Sequence, residues 1–393
     1  MKKTTIIASV IALVPAIATA QTFGEIVDAI ADASPAVSVI DADGLAAEAA
    51  LKGANLLEGP ELEAERLYAP AGGEHRWSAG ISQTLPVPGQ FSRTSQAMQA
   101  LRRRNLAAAE AARAEVSVTT RRLLIDYIAA KADRELTHRI AQSATELLEK
   151  YRRAFEAGEA TIIDLNKTRI EAARANAADA QAEAQLEGYR AEIRAIAPDD
   201  ATAEAALALA DYPPVTELPP LPQVIARYET SPKAMLAIAE ADYAHATASL
   251  AATELWPRLG VGYAHAYEEG MHYNGFTVSL KLPAWGARNT GRTVAQQQAL
   301  STQFTAQQTR ADAMAEIGAR YAEAASLARQ LDELAPAVAI ADNFGLLRRA
   351  LDGGELTLLA YLQETQYFIE AQRQYIALAR DHAAAMAILS PYL

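Results

Sequence analysis

The sequence predicts a mainly helical chain with a membrane β-barrel portion, built as two tandem repeats of a β-hairpin followed by a long helical hairpin. Three observations predict it. A turn stretch occurs twice, as Arg153-Ala154-Phe155-Glu156-Ala157-Gly158-Glu159-Ala160-Thr161 and as Arg349-Ala350-Leu351-Asp352-Gly353-Gly354-Glu355-Leu356-Thr357, 196 residues apart. The 67 residues from Gln90 to Glu156 contain neither Pro nor Gly, and as one helix they span about 100 Å. Before each long helix, short segments alternate apolar and polar residues with the period of a strand.

The chain opens with the pattern of a cleavable export signal, 1–20: Lys2-Lys3, an apolar centre from Ile6 to Ala18, and Ala18-Thr19-Ala20 before Gln21, so that cleavage is expected after Ala20. Loss of Lys2 and Lys3 takes the net charge from −12 to −14, which argues against a nucleic-acid partner. No later apolar run reaches the length of a membrane-spanning helix. If the mature chain enters a membrane, it does so as strands.

The first repeat is assigned to 21–196. Residues 22–32 read as a short amphipathic helix, and an Ala-rich helical stretch runs to about Leu57. A hairpin follows at about 60–86. Its first strand is Pro60-Glu61-Leu62-Glu63-Ala64-Glu65-Arg66-Leu67-Tyr68, its turn Pro70-Ala71-Gly72-Gly73, and its second strand starts at Trp77. Leu62, Ala64 and Tyr68 share one face, interrupted by Arg66. Glu61, Glu63 and Glu65 share the other. The helical hairpin covers about 90–196. Leu136, Ile140, Leu147, Tyr151 and Phe155 form a stripe near coiled-coil spacing on its outgoing helix. Gly158 suits the left-handed residue that ends a helix, and Thr161 the N-cap of the next, with Asp164 in its first turn.

Residues 197–222 hold six prolines and read as a linker between the halves. The second repeat, 223–393, replays the first. Lys233 to Leu255 is helical. A hairpin at about 257–283 has strands Trp256–Tyr263 and Gly275–Pro283, and Ser279, Leu282, Pro283 and Gly286 reproduce Ser82, Leu85, Pro86 and Gly89. Phe276, Val278, Leu280 and Leu282 are expected to face lipid; Thr277, Ser279 and Lys281 are expected to face water. A helical hairpin at about 289–389 carries the Leu327, Leu331, Leu334, Val338, Ala341 stripe and the second turn, at Gly354 and Thr357.

This layout constrains assembly. Two hairpins provide four strands, too few for a membrane barrel, and open sheet edges are not tolerated in lipid. A homotrimer supplies twelve strands that enclose a channel, with the long helices extending from it as a tube. Glu61, Glu63 and Glu65, repeated in every subunit, then become lumen-lining candidates that favour cations. There is no Cys, which excludes disulfides and thiolate metal sites. The six His show no metal-ligand spacing, no cofactor is expected, and nucleophile elbow, phosphate-binding loop and HExxH are all missing, so no enzyme is expected. A soluble periplasmic coiled-coil adaptor or scaffold is the alternative; it shares the helices and signal but leaves two alternating hairpins unexplained.

These residues resemble the TolC family of outer-membrane efflux channels. The resemblance covers nearly all of the mature chain and rests on the doubled layout and the two turns, matched at Arg153, Gly158, Thr161 and Asp164 and at Arg349, Gly354, Thr357 and Leu362. It implies a homotrimer with a twelve-stranded barrel in outer-membrane lipid and a twelve-helix barrel through the periplasm. It implies that the two turns are the periplasmic tip, where Arg153, Gly158, Thr161, Asp164, Arg349, Gly354 and Thr357 meet a periplasmic adaptor (membrane fusion protein) coupled to an inner-membrane transporter. Acidic residues that narrow the family's entrance fall here on Ala360 and Gln363. The constriction candidates are therefore Asp164, Gln363 and the adjacent Glu364. Within the family, Gly59-Pro60-Glu61-Leu62-Glu63-Ala64-Glu65 and Ser82-Gln83-Thr84-Leu85-Pro86-Val87-Pro88-Gly89-Gln90 look most like the CzcC-type heavy-metal branch, with Gly59 and Gln90 where that branch carries Asn and Lys. The implied cargo is metal cations or drugs, passed through a passive duct.

Overall fold

The computed structural model describes residues 22–54, 56–68, 75–213, 217–268, 270–338 and 343–393. The export signal and the Pro70-Ala71-Gly72-Gly73 turn lie outside the described residues. The chain folds as a long helical body with one small sheet at one end. Its first repeat comprises α1 (Phe23–Asp32), α2 (Pro35–Ala54), β1 (Glu61–Leu67), β2 (Arg76–Thr84), α3 (Gln90–Glu156) and α4 (Ile162–Ile196). The proline-rich stretch carries α5 (Asp200–Ala208) and the start of α6 (Leu221–Tyr228). The second repeat comprises α7 (Pro232–Ala251), β3 (Arg258–Glu268), β4 (Met271–Lys281), α8 (Trp285–Val338), α9 (Asn343–Asp352) and α10 (Leu358–Leu389).

Local chemistry places the helix starts. Thr22 and Glu25 form a reciprocal capping box at α1. Asp199 caps α5 by accepting from the Thr202 amide at 2.7 Å, and Ser231 caps α7 ahead of Pro232. The 67-residue α3 is continuous, as expected of a stretch without Pro or Gly. The Leu327–Val338 part of the second stripe lies on α8, which runs through Pro336 to Val338; residue Ala341 lies outside the described residues.

Each long helix changes partners along its length. Toward the sheet, α3 packs against α2 and α7: Arg102 pairs with Glu48 at 3.0 Å, and the Arg93 guanidinium donates to the Ser249 carbonyl at 2.9 Å. Toward the turn, α3 packs against α4, where Arg134 pairs with Glu183 and His138 approaches Asp179 at 3.1 Å. In the second repeat, α8 packs against α7 and then α10. Alanine lines these seams: Ala97, Ala100, Ala141, Ala144, Ala172, Ala175, Ala313 and Ala324 are all buried. Small side chains let such long helices approach closely.

Midway along the body, two cores form a collar. In one, Ile26, Val27 and Ile30 of α1 meet Leu124, Tyr127 and Ile128 of α3, Ile193 of α4 and Ala206 of α5. The Tyr127 hydroxyl donates to the Leu207 carbonyl at 2.7 Å and pins the stretch after α4 to α3. In the other, Val224 and Tyr228 of α6 meet Ile317 of α8 and Leu389 of α10. The proline-rich stretch is thus folded onto the body on both sides.

Candidate functional site

The sheet comes first. Its order is β1-β2-β3-β4, antiparallel throughout, so the two hairpins join through β2 and β3. Strands β3 and β4 have 11 residues each, the length a tilted strand needs to cross a bilayer. Strand β3 runs on to Glu268, beyond Tyr263 where the alternation fades in the sequence, because every residue from Ala264 to Glu268 has a partner on β4.

The register sorts the side chains onto two faces. One face carries Leu62, Ile81, Tyr263 and Phe276 in one row, Val261 with Val278 in the next, and Leu259 with Leu280 beyond. Phe276 is 89% exposed, Leu62 81% and Val278 74%. At the end away from the helices, Arg66, Trp77, Tyr267 and His272 share a row. The Arg66 guanidinium lies 5.1 Å from the Tyr68 ring. Its position on the apolar face is thus at the rim, where aromatic girdles and snorkelling cations belong.

The opposite face is small and polar. Glu61 lies in a row with Ser82, Gly262 and Thr277, Glu63 with Gly80, Ala264 and Gly275, and Glu65 with Ser78, Ala266 and Tyr273. The three carboxylates therefore share a face whose two central strands carry only Gly, Ala and Ser in these rows, with Thr277 and Tyr273 on β4. Gly262 is required there: a Cβ would sit 2.6 Å from Thr277 Oγ1 and 2.7 Å from the Ile81 carbonyl.

The second part of the site is the far end of the helices. Gly158 has φ +78° and Gly354 φ +75°. The two turns repeat each other bond for bond. The Gly158 amide donates to the Phe155 carbonyl at 3.0 Å and Glu159 to Ala154 at 2.8 Å; Gly354 donates to Leu351 at 3.2 Å and Glu355 to Ala350 at 2.8 Å. This pair of bonds is the Schellman ending. Thr161 and Thr357 then cap α4 and α10, accepting from the amides of Asp164 at 3.1 Å and Ala360 at 3.2 Å.

The two turns are neighbours in space. Leu147 of α3, Leu351 of α9 and Leu358 and Tyr361 of α10 share a buried cluster, with Tyr151 and Leu362 packed on it. Lys150 bonds Asp352 at 2.5 Å, and Arg348 stands 3.5 Å from the same carboxylate. The Lys150 ammonium holds Asp352 below the usual aspartate range. Burial, together with the nearby carboxylates of Asp164 and Asp352, pushes the Tyr151 phenol up. Of the constriction candidates, Gln363 and Glu364 are exposed. Asp164 accepts from the Thr161 hydroxyl at 2.6 Å, with Lys167 at 3.9 Å. Arg153 reaches back to the Glu149 carbonyl at 3.3 Å. Outside this ionic layer, Phe155, Ile162, Ile163 and Leu359 are exposed, so the helix ends present an apolar patch.

Two features escaped sequence reasoning. One is the Lys150–Asp352 bond, which joins residues far apart in the chain. The other is His265, whose Nε2 lies 3.1 Å from His272 Nδ1, with Asn274 on its Nδ1 side at 2.7 Å. Seven residues apart across a hairpin turn, the pair is signalled only by strand register. No group of three or more metal-ligating His, Asp or Glu side chains occurs among the described residues.

No family model matches the sequence, and no curated protein matches it. Solved structures do. The chain superposes on a membrane protein from Pseudomonas aeruginosa with a TM-score of 0.76 at 18% identity, over 93% of this chain and 89% of that one. It superposes on the CmeC outer-membrane channel of Campylobacter jejuni with a TM-score of 0.75 at 15% identity, over 94% and 84%. The outer-membrane protein VceC of Vibrio cholerae gives 0.71 at 14% identity, over 93% and 95%. The chain has the fold of outer-membrane channels. In this channel fold a single chain contributes an open four-stranded sheet, and both of its outer strands, β1 and β4, are exposed along their whole length.

Proposed function

We propose that this chain is the outer-membrane duct of a TolC-type efflux system. The reading assigns 1–20 to a cleavable export signal, 21–196 and 223–393 to the two repeats, and 197–222 to the connection between them. It is a passive channel and catalyses nothing. Three copies close the sheet into a twelve-stranded barrel and extend their helices as a tube through the periplasm. Energy comes from an inner-membrane transporter, delivered through a periplasmic adaptor.

The observation that carries this reading is the two-faced sheet. One face is mainly apolar, with His265 and Asn274 in the row before an aromatic end row; the other is mostly small and polar, with the three carboxylates on β1 and Arg76, Arg258 and Lys281 toward its ends; both edges are unpaired among the described residues. A soluble adaptor or scaffold would have no use for an exposed face of this kind, because contiguous apolar surface marks a membrane or partner contact. Such edges are tolerated in lipid only when paired. The likeness to solved outer-membrane channels supports the same reading.

The working path follows from the residues. Solute enters at the helix ends, where Arg153, Gly158, Thr161, Arg349, Gly354 and Thr357 shape the turns offered to the adaptor and Asp164, Gln363 and Glu364 border the entrance. It leaves past Glu61, Glu63 and Glu65, whose carboxylates favour cations over anions. The Glu-rich β1 supports metal cations as cargo, the heavy-metal branch of the family; bulky amphiphiles are the second class.

Growth of a deletion strain on two panels tests the proposal, one of divalent metals and one of dyes, detergents and drugs. Metal sensitivity alone is expected. Sensitivity to amphiphiles alone would overturn the metal assignment and keep the duct, and no sensitivity on either panel would count against export altogether.

A further inference from the structure

At the collar, a cavity of about 310 Å³ opens between α1, α3, α8, α10 and the segment after α5. That is about twice the engineered apolar cavity of about 150 Å³ that binds benzene. Its wall is mostly apolar, with Phe23, Ile125, Leu331, Ala383, Met386 and Leu393 among the lining residues.

Five polar side chains break that wall, among them Arg121, Tyr212 and His382, and two of these three hold a buried atom without a partner. The Arg121 Nε has no solvent access and no hydrogen-bond acceptor, and Arg121 forms no ion pair among the described residues. The Tyr212 hydroxyl is likewise buried and unbonded. His382 is 5% exposed, with the Asp332 carboxylate near enough to act on its ring. Leaving a buried polar group unsatisfied is costly, so two such atoms at one cavity point to an occupant.

The chemistry of the three groups selects it. Arg is donor-only and permanently charged, and a phenol and an imidazole both have a proton to donate. Nearby Arg380 is already engaged by Asp381 at 2.7 Å. The cavity thus offers one uncommitted cation and two further donors on an apolar wall of small-molecule size. Burial raises the Tyr212 phenol to about 12 and lowers the His382 imidazole, so at neutral pH Arg121 is the one charged residue of the lining itself, with Asp126, Asp332, Arg380 and Asp381 acting from outside it.

We infer that this collar cavity binds a small anionic amphiphile, its carboxylate or phosphate head on Arg121 and Tyr212 and its tail among Ile125, Leu331, Ala383 and Met386. The site lies apart from both the sheet and the helix ends. Its test rests on the outer-membrane assembly proposed above but not on export, and its failure would leave that reading intact.

The test uses the intact protein in native outer-membrane vesicles and a photoreactive diazirine analogue of decanoate. Labelled peptides are mapped by mass spectrometry. Labelling is expected on peptides containing Ile125 and Ala383–Ala387. It should fall at least tenfold with excess decanoate or decyl phosphate, whichever head the site prefers, and stay unchanged with decyltrimethylammonium. Arg121→Gln should lose the label at least tenfold, and Arg121→Lys, which keeps the charge, should retain most of it. Gel migration of both variants as the wild-type oligomer controls for folding. Labelling confined to the strands, labelling indifferent to Arg121→Gln, or competition by the cationic amphiphile alone would each overturn the inference. An unlabelled cavity in a correctly assembled protein would do the same, since a neighbouring subunit would then fill it.

Discussion

At the scale of residues, the two turns are the most constrained positions in the chain. Gly158 and Gly354 hold positive φ with nothing within 4 Å of where a Cβ would stand, so backbone conformation and not space demands glycine. A left-handed β-branched residue costs about 1–2 kcal/mol or more. Gly158→Val and Gly354→Val are therefore expected to distort the helix ends locally while the collar and sheet stay folded. Efflux should be lost with oligomer yield unchanged. Unaltered export in both variants would show that the turns are not the docking surface. Both turns were legible in the sequence because the glycine, the threonine and their spacing all occur twice. The Glu61, Glu63, Glu65 face was legible for a similar reason: strand period alone puts these carboxylates together. Arg66 looked like a flaw in the opposite face until register placed it beside Trp77 at the rim.

At the scale of elements, the long helices and four strands were readable from periodicity, and their partners were not. Nothing local in Ala-rich α2 or α7 says that each covers the sheet-proximal part of α3, because a buried Ala seam has little hydrophobic contrast. The proline-rich stretch reads as a connection, yet Asp199 caps α5 within it and Tyr127 ties it down. Junctions between elements carry testable chemistry as well. Lys150 of α3 holds Asp352 of α9, and the folded-state pKa of Asp352 is lowered by that bond. The sign follows from linkage: the unfolded or undocked state binds the proton more readily, so the contribution is complete above the ordinary aspartate value of 3.8 and disappears as pH falls through the lowered value. Both side chains are half-exposed, so the bond is worth at most about 1 kcal/mol. Paired spin labels on α3 and α9 should report a constant separation from pH 7 down to the ordinary aspartate value and a wider one once pH falls through the lowered Asp352 value. Asp352→Asn should show a broadened distance distribution at every pH. A wild-type distribution indifferent to acid would remove the bond from the account.

At the scale of the whole molecule, the described sheet is open at both edges. Strand β1 ends the sheet on one side and β4 on the other. The sequence implied a four-stranded sheet too small to close by itself. It did not imply that the hairpins pair through β2 and β3, since that contact joins the two repeats and depends on the entire helical body folding between them. The Arg121 cavity was equally hidden, because its wall comes from α1, α3, α8, α10 and the segment after α5. The central claim is that three copies close one barrel. Native mass spectrometry of the protein extracted from outer membranes in detergent tests it most directly. The account predicts a single species of three chains that survives mild detergent and dissociates on heating. A monomer released into aqueous buffer without detergent would contradict it.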